Sequence, residues 1–462
     1  MRRLPFALLA AAIVIGATLR CANLATLDLS PDESATWIAA SAPTIGQVLA
    51  VQARANPGEL GLHDVALHLW MGLFGDTLVA LRSFSALAGT IAIIMVFLVA
   101  RATLALAPPI EETTTDDRRD LTAAIATLFF AVNLITIKYS REARMYPLAL
   151  TLTLAQVWFF LRAMHQAKTA DLLGLAAMTA LATIATFTSA LILIPEGLYL
   201  LVVLAQAAAE NRARVMCLGA ALALGLFLVT PFLLLSIHLR GGAPNPQTWE
   251  WIPRPAPWAT ITLFSKASGT YAFPLLAILV VSCAFRQWGA RREAIVFLLL
   301  WTFAPPFFLT ALSLVVQPAF VERYLLACFA PFFLLAAIGV LESQPVSFRP
   351  GAVALVVVLS LTHFVAWSRK PHGLPWALAT VAATTGLNAG DAIGVAPRSG
   401  INVVRYYVRD AKPVLMVEAV DADPPPAVVI VATGFDLDKA ATLAQRYPRV
   451  LANLREVVVR AR

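Results

Sequence analysis

The sequence specifies an all-α polytopic membrane protein with a small C-terminal α/β domain, and three observations carry that expectation. Of the 462 residues, 59% are hydrophobic and 13% charged, about half the charged share of an ordinary soluble domain, and the mean hydropathy is +0.76. Eleven apolar runs reach or approach the length a helix needs to cross a bilayer, about 20 residues. Beyond residue 368 the apolar runs shorten to strand length and charges become more frequent. The first observation excludes a soluble enzyme, a disordered chain and a nucleic-acid-binding domain. The formal charge of +8 does not change this. The basic residues sit mostly between apolar runs, as they do in polytopic membrane proteins.

The runs lie near 4–22, 78–100, 121–138, 145–163, 171–189, 191–209, 215–238, 272–286, 294–316, 323–341 and 351–367. Lipid offers a backbone no hydrogen-bond partners, so each run is expected to be a helix. The run at 272–286 is short, and only Pro195 and Glu196 divide the stretch 171–209. The first run is too long for a secretion signal, and Arg20-Cys21 is a poor cleavage site, so it reads as an uncleaved anchor. Lys and Arg are more frequent in connections on the N-terminal side, which favours a cytoplasmic N-terminus and an extracytoplasmic C-terminus in the cell inner membrane. The cysteines Cys21, Cys217, Cys283 and Cys328 have no metal spacing and read as small hydrophobes.

Two connections on the outer side are long, 23–77 and 239–271. The first contains the apolar stretch Val65–Phe74, too short to span and suited to an interfacial helix with Trp70 at headgroup level. The second holds Pro244, Pro246, Trp249, Trp251, Pro253, Pro255, Pro257 and Trp258, a composition that suits a semi-rigid cover on the membrane surface. In the tail, 368–462, strands are expected at 392–396, 414–417 and 428–432 and helices near 400–409 and 436–446. This domain has no Gly-rich phosphate loop and no obvious nucleophile, so it reads as a packing or recognition element attached to the 1–367 membrane module.

Three polar segments fall on the outer side. Ser30-Pro31-Asp32-Glu33 places adjacent carboxylates just beyond the first span, although Asp32 after Pro31 also suits a helix start. Lys138 to Pro147 packs Arg141, Glu142, Arg144 and the tyrosines Tyr139 and Tyr146 between two spans. If helical, it would set Arg141 and Arg144 on one face, and arginine forks match phosphate oxygens. Snorkelling side chains at a helix end are the plainer alternative. Glu322-Arg323-Tyr324 opens a later span, where an interfacial anchor is the plainer reading. Carboxylates and arginines together at the lipid boundary suit chemistry on a lipid-linked phosphate: a carboxylate takes a proton from an attacking hydroxyl, and arginines stabilise a departing phosphate. Glu196, His363 and Trp367 read as solvated or belt residues, and Glu111-Glu112 and Asp116-Asp117 as a solvated acidic loop.

These segments resemble the lipid-donor glycosyltransferases of the GT-C fold, in particular bacterial members of glycosyltransferase family 39, whose relatives include the protein O-mannosyltransferases and the aminoarabinose transferases. Pro31-Asp32-Glu33 is similar to the family's Asp-Glu motif. His68-Leu69-Trp70, Leu73-Phe74-Gly75-Asp76 and Ala80-Leu81-Arg82 resemble its approach to the second span. Tyr139-Ser140-Arg141-Glu142-Ala143-Arg144-Met145-Tyr146 is the most specific match. Trp251-Ile252-Pro253 and Arg323-Tyr324-Leu325-Leu326 resemble later segments, and the likeness covers about residues 1–340.

The resemblance implies a GT-C-type fold and sugar transfer, with inversion, from a polyprenyl phosphate to an extracytoplasmic lipid, glycan or protein hydroxyl. It implies Asp32 as catalytic base and Glu33 as its helper. Donor and phosphate binding would fall to Arg141, Glu142, Arg144, Tyr146, Arg323 and Tyr324. The chain departs from the family where a His-Pro-Pro segment is expected and reads Glu59-Leu60-Gly61-Leu62-His63-Asp64 instead. Glu59, His63 and Asp64 are therefore candidates for an acceptor or metal site. His63, Asp64 and His68 are the residues that would ligate a divalent metal; no cofactor is otherwise implied. Two rival readings stand beside the transferase: a lipid or sugar transporter or flippase, and a catalytically inactive membrane scaffold. Spans nearly free of charge count against the transporter.

Overall fold

The computed structural model describes residues 3–56, 58–106, 115–206, 209–241, 252–289, 291–370, 372–385, 387, 391–409, 415–419, 425–432, 437–454 and 456–461. The chain enters through α1 (Arg3–Cys21) and forms three short helices on one face, α2 (Pro31–Ala40), α3 (Ile45–Ala55) and α4 (Leu62–Phe74), before the long α5 (Leu78–Leu104). Then come α6 (Thr115–Ala131) and α7 (Leu134–Ser140), one run bent by 61°. After α8 (Tyr146–Gln166) and α9 (Thr169–Ala185), a 3-10 turn over Phe187–Ile192 leads into α10 (Leu193–Gln206) and α11 (Ala209–Leu239). The helices α12 (Ala259–Ser268) and α13 (Phe273–Gln287) meet at 114°. The membrane part closes with α14 (Arg292–Val315), a 3-10 segment over Glu322–Cys328, α15 (Phe329–Glu342) and α16 (Phe348–Ser368).

All eleven apolar runs coincide with helices, so the protein is a multi-pass membrane protein. Among the described residues, eight helical units are long and apolar enough to cross a membrane, and the two bent pairs raise this to ten. At 17 residues α9 is shorter. The run expected at 272–286 is the 15-residue α13, folded sharply back from α12 rather than a straight span.

The break between α6 and α7 has a visible cause. Asn133 caps α7, its side chain accepting from the Thr136 amide at 2.9 Å. Arg20, fully buried near the end of α1, donates to the carbonyls of Gly16 and Ala131 at 3.0 and 2.9 Å and to Thr136 Oγ1 at 3.1 Å. The helix interruption frees a carbonyl, and in an apolar environment such a group needs a donor; the guanidinium supplies it. Elsewhere α13 and α15 approach so closely that a Cβ on Gly339 would collide with the Leu279 carbonyl. Small residues at contacts of this kind let membrane helices pack backbone to backbone. The main core runs through α5, α6, α8, α14 and α15, with Phe129, Phe160, Phe297, Trp301 and Phe333 almost wholly buried.

Beyond α16 lie α17 (Trp376–Thr384), β1 (Ala392–Ala396), α18 (Ile401–Val408), β2 (Leu415–Glu418), β3 (Val428–Ala432), α19 (Leu437–Arg446), β4 (Arg449–Leu454) and β5 (Val457–Ala461). The sheet order is β2-β1-β3-β5-β4. β1 runs parallel to both β2 and β3, with Ile393 opposite Met416 and Val428. β5 is antiparallel to β3 and β4. The three expected strands are present, and the β4–β5 hairpin is an addition to them. Central β3 is buried along its whole length, which explains its unbroken Val-Val-Ile-Val-Ala sequence.

The domain does not hang free. Leu29, Trp37 and Leu67 from the α1–α5 connection share one core with Trp376, Val403 and Ile430. Tyr407 Oη accepts from the Leu29 amide at 2.9 Å, and Asp28 Oδ2 from the Ala377 amide at 2.9 Å. Trp37 meets Tyr406 edge to face at 5.2 Å. The expected interfacial helix is α4, but its Trp70 is a strut to the start of α5, donating to Ala80 O at 3.0 Å and Ser83 Oγ at 3.1 Å. Of the Pro- and Trp-rich connection, Pro244, Pro246, Trp249 and Trp251 lie outside the described residues, as do Glu111 and Glu112.

Candidate active site

Local sequence sets the start of α2. Ser30 is the N-cap, its hydroxyl accepting from the Glu33 amide at 3.2 Å, while Glu33 Oε2 accepts from the Ser30 amide at 3.0 Å. With Pro31 in the first turn this is a capping box. The cap is therefore Ser30, and Asp32 is left to act through its side chain. Glu33 has a second attachment. Arg82, near the start of α5, donates from Nε to Oε1 at 2.7 Å and from Nη2 to Oε2 at 2.8 Å. The Ala143 amide adds a bond to Oε1 at 2.9 Å. The remaining Arg82 donors reach the carbonyls of Leu24, Leu27 and Asp28. Burial raises the Glu33 pKa, but the hydrogen bonds and charge of Arg82 outweigh it and hold the carboxyl below its ordinary range. Glu33 is thus a buried joint between three segments, and it aims its neighbour Asp32 outward. The Asp32 side chain is 56% exposed, with Oδ2 at 3.4 Å from Arg323 Nη1.

Residues 141–145 form turns and bends rather than a helix, so the expected common face for Arg141 and Arg144 does not exist. Arg141 turns away, toward the carbonyls of Leu19 and Asn23 at 3.5 and 3.3 Å. Arg144 turns inward and is buried. Its Nη1 donates to Asp32 O at 3.0 Å, Thr36 Oγ1 at 2.9 Å and Asn56 Oδ1 at 3.3 Å, and its Nη2 lies 3.3 Å from Glu59 Oε1. It ties the backbone of Asp32 to Asn56 at the C-terminal end of α3 and to Glu59 in the link before α4. Burial opposes its charge, but Glu59 and other acidic neighbours keep its pKa raised. Glu142, half-buried, is pushed up to about 7 by burial and by the charge of Glu33. Nearby, Glu322 accepts from Lys138 Nζ at 3.1 Å and from Tyr139 Oη at 2.9 Å, pinning α7 to the 3-10 segment that carries Arg323.

Glu59, His63 and Asp64 are all buried beside Arg144 at the entrance to α4. Burial pushes Glu59 up to about 7 despite the Arg144 charge, and raises Asp64 well above the carboxylate range with Glu59 adding to it. Burial, reinforced by Arg144, depresses His63 to about 3, so its ring is neutral. His68 is committed elsewhere, its Nδ1 bonded to Ala40 O at 2.8 Å. Among the described residues no three His, Cys, Asp or Glu side chains converge as metal ligands do, so His63, Asp64 and His68 do not fit a metal. Glu196, read from sequence as solvated, is fully buried in α10 and accepts from Gln156 Nε2 at 3.0 Å.

Arg323 lies over the rings of Tyr146 and Tyr324, with centroids at 5.5 and 6.0 Å. These three residues line a small cavity between α8, the 187–192 turn and α14. The structure therefore brings together Asp32, Glu33, Arg144, Tyr146, Arg323 and Tyr324, packs Glu59, His63 and Asp64 behind them, and sets Arg141 apart. Arg82 was absent from the sequence-based site; a lone arginine one turn into an apolar span was the available signal.

No family model matches the chain, and no curated protein matches its sequence. Solved structures do. The crystal structure of ArnT from Cupriavidus metallidurans bound to undecaprenyl phosphate superimposes with a TM-score of 0.65 over 99% of this chain and 97% of that one, at 14% identity. The chain has the ArnT fold. The apo form of ArnT gives a TM-score of 0.64 at the same coverage. The Saccharomyces cerevisiae protein O-mannosyltransferase Pmt1–Pmt2 complex, bound to its sugar donor, matches only in part, with a TM-score of 0.36 over 57% of this chain. The GT-C architecture expected from the motifs is thus the one present, and the ArnT likeness runs through both the membrane part and the C-terminal sheet.

Proposed function

We propose that the protein is a membrane glycosyltransferase that moves a hexosyl or pentosyl group from a polyprenyl phosphate to an acceptor hydroxyl at the extracytoplasmic face of the cytoplasmic membrane. The observation that carries this reading is the pairing of an exposed Asp32 carboxylate with Arg323 at 3.4 Å, with Arg323 also lining a small cavity beside Tyr146 and Tyr324. The ArnT likeness supports it, since that protein binds undecaprenyl phosphate in the related fold.

In this reading Asp32 accepts the proton of the acceptor O–H as the oxygen attacks the anomeric carbon from the face opposite the phosphate. The new C–O bond forms with inversion. The bond from the anomeric carbon to the phosphate oxygen breaks, its electron pair leaving with polyprenyl phosphate. Arg323 stabilises that charge as it develops, with Tyr146 and Tyr324 flanking it. Glu33 and Arg144 are positioning residues: one fixes the start of α2, the other holds the Asp32 carbonyl. Arg141 has no part in this centre.

Membranes containing the full chain, supplied with radiolabelled undecaprenyl-phosphate sugars and a cell-envelope acceptor fraction, test the reading. Wild-type protein labels the acceptor and releases undecaprenyl phosphate. A folded protein that neither binds undecaprenyl phosphate nor turns over any such donor contradicts the proposal.

A further inference from the structure

The membrane face opposite Asp32 carries a second cavity, which the proposed chemistry does not use. From Tyr146, beside Arg323, α8 runs to His165 in its last turn. At 1.5 Å per residue that is about 28 Å, close to the thickness of a hydrocarbon core, about 30 Å. Around His165 the ends of α5, α8 and α10 meet the starts of α11 and α14 and leave a groove of about 300 Å3, at the lower end of the range for small-molecule sites.

Four helices each supply one polar side chain to its lining: His165 from α8, Gln206 from α10, Arg214 from α11 and Glu293 from α14. Arg214 is half-buried and anchored, its Nη1 donating to the Met164 carbonyl near the end of α8 at 3.0 Å. A guanidinium has five N–H donors, so this bond fixes its place and leaves others for an anion. Glu293 faces the same space, yet it is not paired with Arg214, and it has no partner among the described residues. A cation and an anion that share a small groove without meeting match a ligand that carries both signs.

The flanks point to a lipid as the source of that ligand. Val203 and Val215 are apolar walls of the groove. On the same two helices Leu201, Leu204 and Met216 are exposed at the surface of the bundle, where acyl chains run. A soluble zwitterion would leave that apolar surface uncovered. A phosphoethanolamine headgroup fits both ends. Its phosphate suits the Arg214 fork, with an imidazole N–H of His165 and the Gln206 amide as further donors. Its primary ammonium offers three N–H groups to the Glu293 carboxylate. A choline headgroup has the same charges and no N–H. A glycerol headgroup has no cation, and it would leave Glu293 facing a phosphate.

We propose that this groove binds the headgroup of a zwitterionic phospholipid that carries a primary ammonium, with Arg214 on the phosphate and Glu293 on the ammonium. The site stands apart from the sugar-transfer reading and does not depend on it. A lipid seated there bridges the ends of four helices and stabilises the folded bundle by its binding.

Native mass spectrometry of the delipidated full-length protein tests it. The probes are phosphatidylethanolamine, phosphatidylcholine and phosphatidylglycerol with identical acyl chains, and O-phosphoethanolamine, which has none. Phosphatidylethanolamine should bind at least fivefold tighter than either other phospholipid, and O-phosphoethanolamine at equal concentration should not displace it. Glu293→Gln should lower the preference over phosphatidylcholine threefold or more, and Arg214→Gln should weaken phosphatidylethanolamine binding threefold or more. A smaller preference in the wild-type protein, or no lipid binding at all, overturns the proposal. So does a preference that persists in folded Glu293→Gln, which places the lipid elsewhere. Displacement by O-phosphoethanolamine overturns the assignment to a lipid. If Arg214→Gln fails to fold, Glu293→Gln still reports on the site, because Glu293 is an exposed residue in the first turn of α14.

Discussion

Replacing Glu33 by Gln removes one charge from the joint that orients Asp32, and its cost follows from the bonds it breaks. The carboxylate is 2% exposed and accepts from Arg82 Nε and the Ala143 amide on one oxygen, and from Arg82 Nη2 and the Ser30 amide on the other. An amide in its place turns one oxygen into a donor, so two acceptor contacts become donor against donor. Charge-assisted hydrogen bonds contribute about 1.5–3 kcal/mol each, and removing one partner of a buried ion pair costs about 3–5 kcal/mol. Arg82 keeps its carbonyl partners at Leu24, Leu27 and Asp28, which places the expected loss near the lower limit, about 3 kcal/mol. Denaturant titration in detergent of wild type, Glu33→Gln, Arg82→Met and the double variant measures it. The double variant should lose less than the sum of the singles by about 2 kcal/mol, within the range seen for contacting residues. Because the folded-state pKa of Glu33 lies below its ordinary 4.5, the contribution is present above pH 4.5 and disappears as pH falls through the folded value. The gap between wild type and Glu33→Gln should therefore close in acid. Additive single effects, or a Glu33→Gln protein within about 0.5 kcal/mol of wild type, the usual range for a surface change, would refute the joint.

Other perturbations separate the parts. Glu59 has the opposite sign: burial raises its folded-state pKa to about 7, so stability present below 4.5 is lost as pH rises toward 7. Glu59→Gln should flatten that slope in thermal melts taken between pH 4.5 and 7, and an unchanged slope would remove Glu59 as its source. Gly339→Ala forces a methyl onto the Leu279 carbonyl; overpacking of this kind costs about 1–3 kcal/mol, visible as a lower unfolding midpoint, and an unaltered midpoint would mean that α13 and α15 are free to separate. Tyr407→Phe strips the acceptor from the Leu29 amide and should cost about 1 kcal/mol together with a fall in transfer rate. A full rate would show that contacts of the C-terminal domain do not position α2.

Much of the architecture was legible because bilayer thickness imposes a length on apolar runs, and all eleven runs are helices. The exceptions arise from single groups. A straight span at 121–138 ignores Asn133, which caps a new helix, and Arg20, whose donors compensate the break from more than a hundred residues away. The shared face of Arg141 and Arg144 assumed helical spacing in a segment that turns instead. The β4–β5 hairpin was obscured because β4 is mostly exposed and lacks a strong apolar alternation. At the site, Asp32, Arg144 and Arg323 could be named from their motifs, and their convergence could not, since it depends on joints such as Glu33 with Arg82, 49 positions apart. Glu196 shows the same limit: a carboxylate beside a proline reads as a turn until Gln156 is seen across the interface.

The most direct test of the proposed chemistry is the rate of undecaprenyl-phosphate release from a labelled lipid-linked sugar by Asp32→Asn, Arg323→Ala and the double variant. If one reaction centre holds both groups, Asp32→Asn loses on the order of a thousandfold, within the range for a general base, still binds undecaprenyl phosphate, and loses little more when Arg323→Ala is added. Release by Asp32→Asn within threefold of wild type, from a folded protein, would contradict the account.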